Sequence, residues 1–91
     1  MDSAIHIVIS GGVQGVFFRA GAQDQARKLN LSGWVRNTPD GSVEVLAEGG
    51  RNSLEQLLDW CYHGPAGASV SAIEYGWVEP KGIKEFTIRY D

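Results

Sequence analysis

The spacing of the apolar residues switches repeatedly between period two and period 3.6, which limits the chain to folds that alternate strands and helices. The stretch AIHIVISG (4–11) alternates its isoleucines on one face and is rich in β-branched residues, so it predicts a strand. The stretches FRAGAQDQARKLN (18–30) and NSLEQLLDWCYHG (52–64) predict helices, because their apolar residues recur at helical spacing. These residues are Phe18, Ala22, Ala26 and Leu29 in the first stretch, and Leu54, Leu57, Leu58 and Cys61 in the second.

Four further segments have the composition of strands. GWVRNT (33–38) and SVEVLAEG (42–49) predict a hairpin, because the PDG between them suits a tight turn. SVSAIEYGWVE (69–79) predicts a strand with a bulge near Gly76, and KEFTIRY (84–90) predicts a final short strand.

The helix ends carry their own signals. Asn30 follows the first helix where a left-handed residue is common, and asparagine tolerates that conformation. Asn52 and Glu55 predict a capping box at the start of the second helix, while Gly64 and Pro65 end it.

The order of elements is strand, helix, strand, strand, helix, strand, with a final strand. A hairpin between two crossover units obeys the right-handed connection rule if both helices cover the same face of one antiparallel sheet. We therefore expect an α+β fold, a ferredoxin-like two-layer sandwich (βαββαβ plus a short final strand). Since the chain has 91 residues, enough for one core, we expect a single domain over 1–91.

Composition narrows the class of protein. The formal net charge of −3 gives no global basic field that would attract nucleic acid or an anionic membrane. The single cysteine, Cys61, excludes an intramolecular disulfide and indicates a reducing compartment. No targeting segment is visible, because the apolar run 4–9 is too short for one, so we expect a cytoplasmic protein without nucleic-acid or membrane partners.

The stretch GGVQGVFFR (11–19) falls between a predicted strand and a predicted helix. Backbone N–H groups of such a loop and of the first helical turn favour an anion, and glycine lets the loop curl closely around it. Arg19 would add a planar cation that binds two phosphate oxygens. The stretch lacks the lysine and hydroxyl residue of a nucleotide P-loop and the glycine spacing of a dinucleotide fingerprint. The alternative interpretation is a tight turn beside a surface arginine.

Asn37 lies near the end of the second predicted strand, which can approach the loop after the first strand. Its amide is a poor base, but it can hold and orient a water molecule. The alternative is an asparagine that caps the following turn.

These two stretches carry a family resemblance. GGVQGVFFR and GWVRNTPDGSVEVLAEG (33–49) closely resemble the two signature segments of the acylphosphatases, and the likeness runs through nearly the whole chain. It implies the ferredoxin-like fold and an acylphosphatase enzyme. Such an enzyme hydrolyses the carboxyl-phosphate bond of acyl phosphates to a carboxylate and inorganic phosphate.

The resemblance also implies roles for particular positions. Arg19 matches the phosphate-binding arginine and Asn37 the water-orienting asparagine, which makes both catalytic. The implied phosphate-binding loop consists of Gln14, Gly15, Val16, Phe17, Phe18 and Arg19. We expect no cofactor and no metal, a small acyl phosphate as substrate, inorganic phosphate as product and inhibitor, and a monomer.

Other candidates are set aside. His6 and His63 are interpreted as structural or surface residues, and Cys61 as part of the apolar stripe of its helix. RNA binding on the open sheet face is an alternative, but the basic, aromatic strand motif that it needs is missing. A closer alternative is a regulatory or maturation role in which the same loop binds an acyl or carbamoyl phosphate. Because the chain ends just after its last strand, we expect a stand-alone enzyme.

Overall fold

The computed structural model describes residues 2–91, which form one five-stranded sheet and two helices. The elements are β1 (Ser3–Gly12), α1 (Phe18–Lys28), β2 (Ser32–Asn37), β3 (Val43–Gly49), α2 (Arg51–His63), β4 (Ser69–Val78) and β5 (Phe86–Arg89). Their order agrees with the predicted ferredoxin-like sandwich. Neither helix combines the length and the apolar character needed to cross a membrane.

The strands lie in the order β4-β1-β3-β2-β5. The first four strands pair antiparallel as expected, whereas β5 runs parallel to β2 and makes the sheet mixed. This direction follows from the connection. The last residues of β4 and the first residues of β2 lie at the same edge of the sheet. The segment between β4 and β5 runs along that edge, so β5 starts beside the start of β2 and runs in the same direction.

Both helices pack on one face of the sheet and bury the apolar residues that the sequence assigned to that face. Phe18, Ala22 and Ala26 of α1 are buried, as are Leu54, Leu57, Leu58 and Cys61 of α2. They meet Ile5, Ile7 and Ile9 of β1 and Val43, Val45 and Ala47 of β3 in a single core.

Helix ends agree with the sequence at two of three predicted positions. α2 ends at His63, directly before Gly64, as predicted. Asn30 has φ 59°, which confirms a left-handed residue after α1. The capping box is wrong, because α2 begins at Arg51 after Gly50 and has no side-chain cap. Asn52 thus lies inside the first turn, and Glu55 instead forms a 3.8 Å ion pair with Arg51.

The irregularity of the β1–β4 pair lies elsewhere than predicted. Gly76 pairs in register with His6, so the prediction of a bulge near Gly76 is wrong. The register shifts between Ser10 and Gly11 instead. Gly11 has φ 125°, and a Cβ atom there would lie 2.2 Å from the carbonyl oxygen of Ser69. Only glycine fits this close approach, which lies near the end of β1, just before the loop of residues 13–17.

Candidate active site

The loop of residues 13–17 connects β1 to α1 and turns sharply at two positions of positive φ. Gly15 has φ 76°, and Phe17 has φ 63° as the residue that precedes α1. A bulky side chain is strained in this left-handed conformation, and that of Phe17 is also 83% exposed. Phe18 is buried and packs edge-on against Trp60, with ring centroids 5.2 Å apart. The core therefore fixes where the helix begins, while the loop before it projects outward.

A cavity of about 280 Å³ lies beside this loop. It is lined by Val13, Gly15, Phe17, Phe18, Arg19, Ala20, Asn37, Ile88 and Tyr90. The two residues predicted to be catalytic, Arg19 and Asn37, thus border the same concavity, although they are on different elements.

The loop offers hydrogen-bond donors. The backbone N–H groups of Gln14, Gly15 and Phe17 have no acceptor in the part of the chain that the structure describes. The start of α1 adds further N–H groups, because no side chain caps it and its first turn contains no acidic residue. This edge of the cavity therefore favours a negatively charged ligand.

Arg19 lies in the first turn of α1, half-buried, with its guanidinium carbon 4.8 Å from the ring centroid of Tyr90. Arg36, Arg51 and Arg89 each form an ion pair with a carboxylate, at 2.6, 3.8 and 2.5 Å. Across residues 2–91, Arg19 forms no such ion pair. The aromatic ring can hold the guanidinium in place and leave its N–H groups available to an anion.

Asn37 is the last residue of β2 and pairs with Val43 of β3. The turn after it is closed by other groups: the Thr38 hydroxyl donates to Asp40, and the backbone N–H of Ser42 donates to the same carboxylate at 3.1 Å. The Thr38 hydroxyl, followed by the N–H of Ser42, lowers the pKa of Asp40. The side-chain amide of Asn37 takes no part in this turn, so it is available to the cavity.

Two predicted loop residues have side chains that do not line the cavity. Gln14 turns its side chain toward the hairpin, where Nε2 donates to the carbonyl oxygens of Thr38 and Ser42 at 2.9 and 2.8 Å. Val16 is half-buried and packs against the hydrophobic core. At these two positions only the backbone can face a ligand in the cavity.

Four lining residues, Val13, Ala20, Ile88 and Tyr90, are not among the predicted site residues. Val13 and Ala20 directly flank the predicted loop, whereas Ile88 and Tyr90 alternate with Phe86 along the last strand, which was a usable signal. Their approach to Arg19 also requires β5 to lie beside β2, and no local pattern specifies that neighbour.

The residues set aside lie outside the cavity. His6 is on the open sheet face, with Nε2 2.6 Å from an oxygen of Glu44, and His63 is exposed at the end of α2. Cys61 is buried in the core, as predicted, and burial raises the pKa of its thiol to about 12. Within 2–91, no three His, Cys, Asp or Glu side chains cluster in a way that could hold a metal ion.

Comparisons with known proteins agree with the fold and the family. The acylphosphatase family model matches residues 5–88. A curated acylphosphatase from Roseiflexus sp. (strain RS-1) is 49% identical over 83 residues, which cover 90% of this chain and 89% of that protein.

Solved structures give the same result. The crystal structure of acylphosphatase from Bacillus subtilis has a TM-score of 0.94 and 37% identity, and the match covers 99% of this chain and 100% of that one. HypF from T. kodakarensis matches with a TM-score of 0.84 and 32% identity over 98% of this chain, but over 12% of its own much longer chain. The matches of family model, sequence and structure all cover most of this chain, which is therefore an enzyme of the acylphosphatase family.

Proposed function

We propose that this chain hydrolyses the carboxyl-phosphate bond of acyl phosphates and releases a carboxylate and inorganic phosphate. The observation that carries the proposal is the meeting of three groups at one cavity. They are the guanidinium of Arg19, which forms no ion pair within residues 2–91, the side-chain amide of Asn37 and the N–H groups of the loop. All of these groups come from one chain, so the proposed enzyme acts as a single domain and as a monomer.

In the proposed complex, the phosphoryl group lies against the loop. The N–H groups of residues 14–18 donate to its oxygens, and the guanidinium of Arg19 binds two of them in its planar fork. Phosphoryl transfer passes through a loose transition state, in which catalysis depends mainly on alignment and on stabilisation of charge. Fixed N–H groups and a guanidinium can supply that stabilisation without reorganisation during the reaction.

Asn37 is proposed to orient the attacking water. The water oxygen bonds to phosphorus opposite the acyl oxygen, and the phosphorus–oxygen bond to the acyl group breaks. The electron pair of that bond leaves on the carboxylate, which is a good leaving group and needs little acid assistance. Since an asparagine amide is a poor base, the proton of the water passes to a phosphoryl oxygen of the substrate.

Arg19→Ala and Asn37→Ala separate binding from turnover. We expect Arg19→Ala to weaken inhibition by inorganic phosphate and to lower kcat/KM for benzoyl phosphate by about 10²- to 10³-fold, the size typical for loss of one charge-stabilising donor. Asn37→Ala should lower kcat by about 10²-fold and change phosphate affinity little, because it removes only positioning of the water. Phosphate release and competitive inhibition by phosphate measure the two effects.

Two variants serve as matched controls. Arg51 also lies in the first turn of a helix with its guanidinium over an aromatic ring, 3.6 Å from the Trp77 centroid. It does not line the cavity, and it follows the end of β3 opposite Val43, the partner of Asn37. Arg51→Ala and the exposed Asn52→Ala should keep wild-type turnover. Near-normal kcat in Asn37→Ala would remove Asn37 from the mechanism, and unchanged phosphate inhibition in Arg19→Ala would remove Arg19 from the binding site.

The same assay tests the alternative in which the cavity binds an acyl or carbamoyl phosphate without hydrolysing it. In that case inorganic phosphate would still bind and Arg19→Ala would still weaken its binding, but no phosphate would be released from any acyl phosphate. Measured release distinguishes the enzyme from the binding module.

A further inference from the structure

We propose that Gln14 is a positioning residue whose side chain fixes the phosphate-binding loop relative to Asn37. The inference rests on the proposed function, since it assigns to Gln14 an effect on the water held by Asn37. Its basis is the pair of hydrogen bonds from Nε2 of Gln14 to the carbonyl oxygens of Thr38 and Ser42, at 2.9 and 2.8 Å.

These two carbonyls flank the position of Asn37. Thr38 follows Asn37 directly in the chain, and Ser42 precedes Val43, the residue that pairs with Asn37 across the hairpin. The hairpin is closed at this point by the N–H of Thr38, which donates to the same Ser42 carbonyl at 2.9 Å. One amide group thus joins the loop on one side of the cavity to the end of β2 on the other.

The hydrogen bonds also show what the side chain cannot do. A glutamine amide has two N–H donors, both on Nε2, and both are directed to backbone carbonyls here. The remaining atom, Oε1, is only an acceptor and would repel a phosphoryl oxygen. The side chain of Gln14 is therefore not a phosphate ligand, and its contribution to the reaction must pass through the groups that it connects.

This arrangement predicts which kinetic constant depends on Gln14. The conformation of residues 13–17, with glycine at the first position of positive φ, determines the directions of the N–H groups that are proposed to bind phosphate. The distance from that loop to Asn37 depends on the link between the two elements. Because small displacements of a positioned reactant slow a reaction strongly, loss of the link should lower kcat far more than phosphate affinity.

Gln14→Met tests this expectation, because methionine has a similar length but cannot donate. We expect kcat for benzoyl phosphate to fall about 10-fold, while inhibition by inorganic phosphate changes less than about twofold. The matched control is Gln23→Met. Gln23 also donates from Nε2 to a backbone carbonyl of another element, that of Phe86 at 3.2 Å, but does not line the cavity. Its loss should leave kcat unchanged.

A double-mutant cycle gives the decisive readout. If Gln14 acts through Asn37, then Gln14→Met should not lower kcat further in the Asn37→Ala background, although it does so in the wild type and in Arg19→Ala. The inference would be overturned if the double mutant lost kcat by the product of the two single-mutant factors. It would also be overturned if Gln14→Met lost kcat and phosphate affinity by the same factor. Full turnover in Asn37→Ala alone would instead overturn the proposed function, so the two failures are distinguishable.

Gln14→Glu provides a second test if Gln14→Met does not fold at the assay temperature. The ionised carboxylate cannot donate to the two carbonyls, whereas the protonated acid donates one hydrogen bond. Turnover of this variant relative to the wild type should therefore rise as the pH falls from about 7 to about 4, through the usual glutamate pKa of about 4.3. A constant ratio over that range would overturn the inference.

Discussion

Glu48 is a buried carboxylate that holds the segment between β4 and β5. It lies near the end of β3, with 3% of its surface exposed, and accepts backbone hydrogen bonds from Lys81, Gly82 and Ile83 at 2.6, 3.0 and 3.1 Å. This segment crosses the edge of the sheet and delivers β5 to its place beside β2. Glu48→Gln keeps the shape of the side chain and removes its charge.

The expected cost follows from these three hydrogen bonds. Whichever way the new amide turns, its NH₂ group faces at least one backbone N–H, so at least one bond is lost. Hydrogen bonds to charged groups contribute about 1.5–3 kcal/mol each, and the remaining bonds lose their charge assistance. We therefore expect Glu48→Gln to lower the free energy of unfolding by about 2–3 kcal/mol. For a domain of this size, that corresponds to a fall in Tm of roughly 10–20 °C.

Urea denaturation of Glu48→Gln and Glu55→Gln measures the difference. Glu55 is 55% exposed, and its ion pair with Arg51 is 3.8 Å long, so Glu55→Gln should cost no more than about 0.5 kcal/mol. Turnover of folded Glu48→Gln should stay at the wild-type level, because Glu48 lies near the opposite end of β3 from Val43, the partner of Asn37. If Glu48→Gln cost no more than Glu55→Gln, the carboxylate would not hold the segment and the reasoning would be refuted.

Two further predictions concern metal ions and pH. We expect EDTA to leave benzoyl phosphate hydrolysis unchanged, because N–H groups and Arg19 supply the positive charge; activity lost to the chelator and restored by a divalent cation would contradict this. Burial acts to raise the pKa of Glu44, but hydrogen bonds from His6 and Arg36 and the charge of Arg36 outweigh it and lower the pKa. A pKa lowered by folding gives stability that is complete above the unfolded-state value and is lost as the pH falls through the folded-state value. The wild type should therefore have a higher free energy of unfolding than Glu44→Gln, and this difference should be larger at about pH 7 than at about pH 3. Urea denaturation that gave the same difference at both pH values would contradict this prediction.

The sequence predicted those parts of the fold that local spacing determines. Both helices follow from their buried stripes, and the conformation of Asn30 follows from its place after α1. The capping box failed because Gly50 and Arg51 were as able to begin the helix as Asn52 was. The prediction of the bulge failed because Gly11, not Gly76, lies against a backbone oxygen of the neighbouring strand. A contact of this kind cannot be predicted from the local spacing of apolar residues.

The candidate site was predictable in part for the same reason. Arg19 and Asn37 could be singled out because their residue types and the glycines before Arg19 form a recognisable pattern. The partners of the Gln14 side chain could not, because they are backbone carbonyls that any residue would offer. Only the three-dimensional approach of the loop to the hairpin shows that this side chain connects the two sides of the cavity.

The direction of β5 links the fold to the cavity. β1, β2 and β5 run the same way, since β1 and β2 are both antiparallel to β3 and β5 is parallel to β2. The loop after β1, Asn37 at the end of β2 and Tyr90 just after β5 therefore meet at one edge of the sheet. An antiparallel β5 would carry Tyr90 to the opposite edge, away from the guanidinium of Arg19. The parallel strand that departs from the expected antiparallel sheet is thus what allows the last aromatic residue to hold the proposed phosphate-binding arginine.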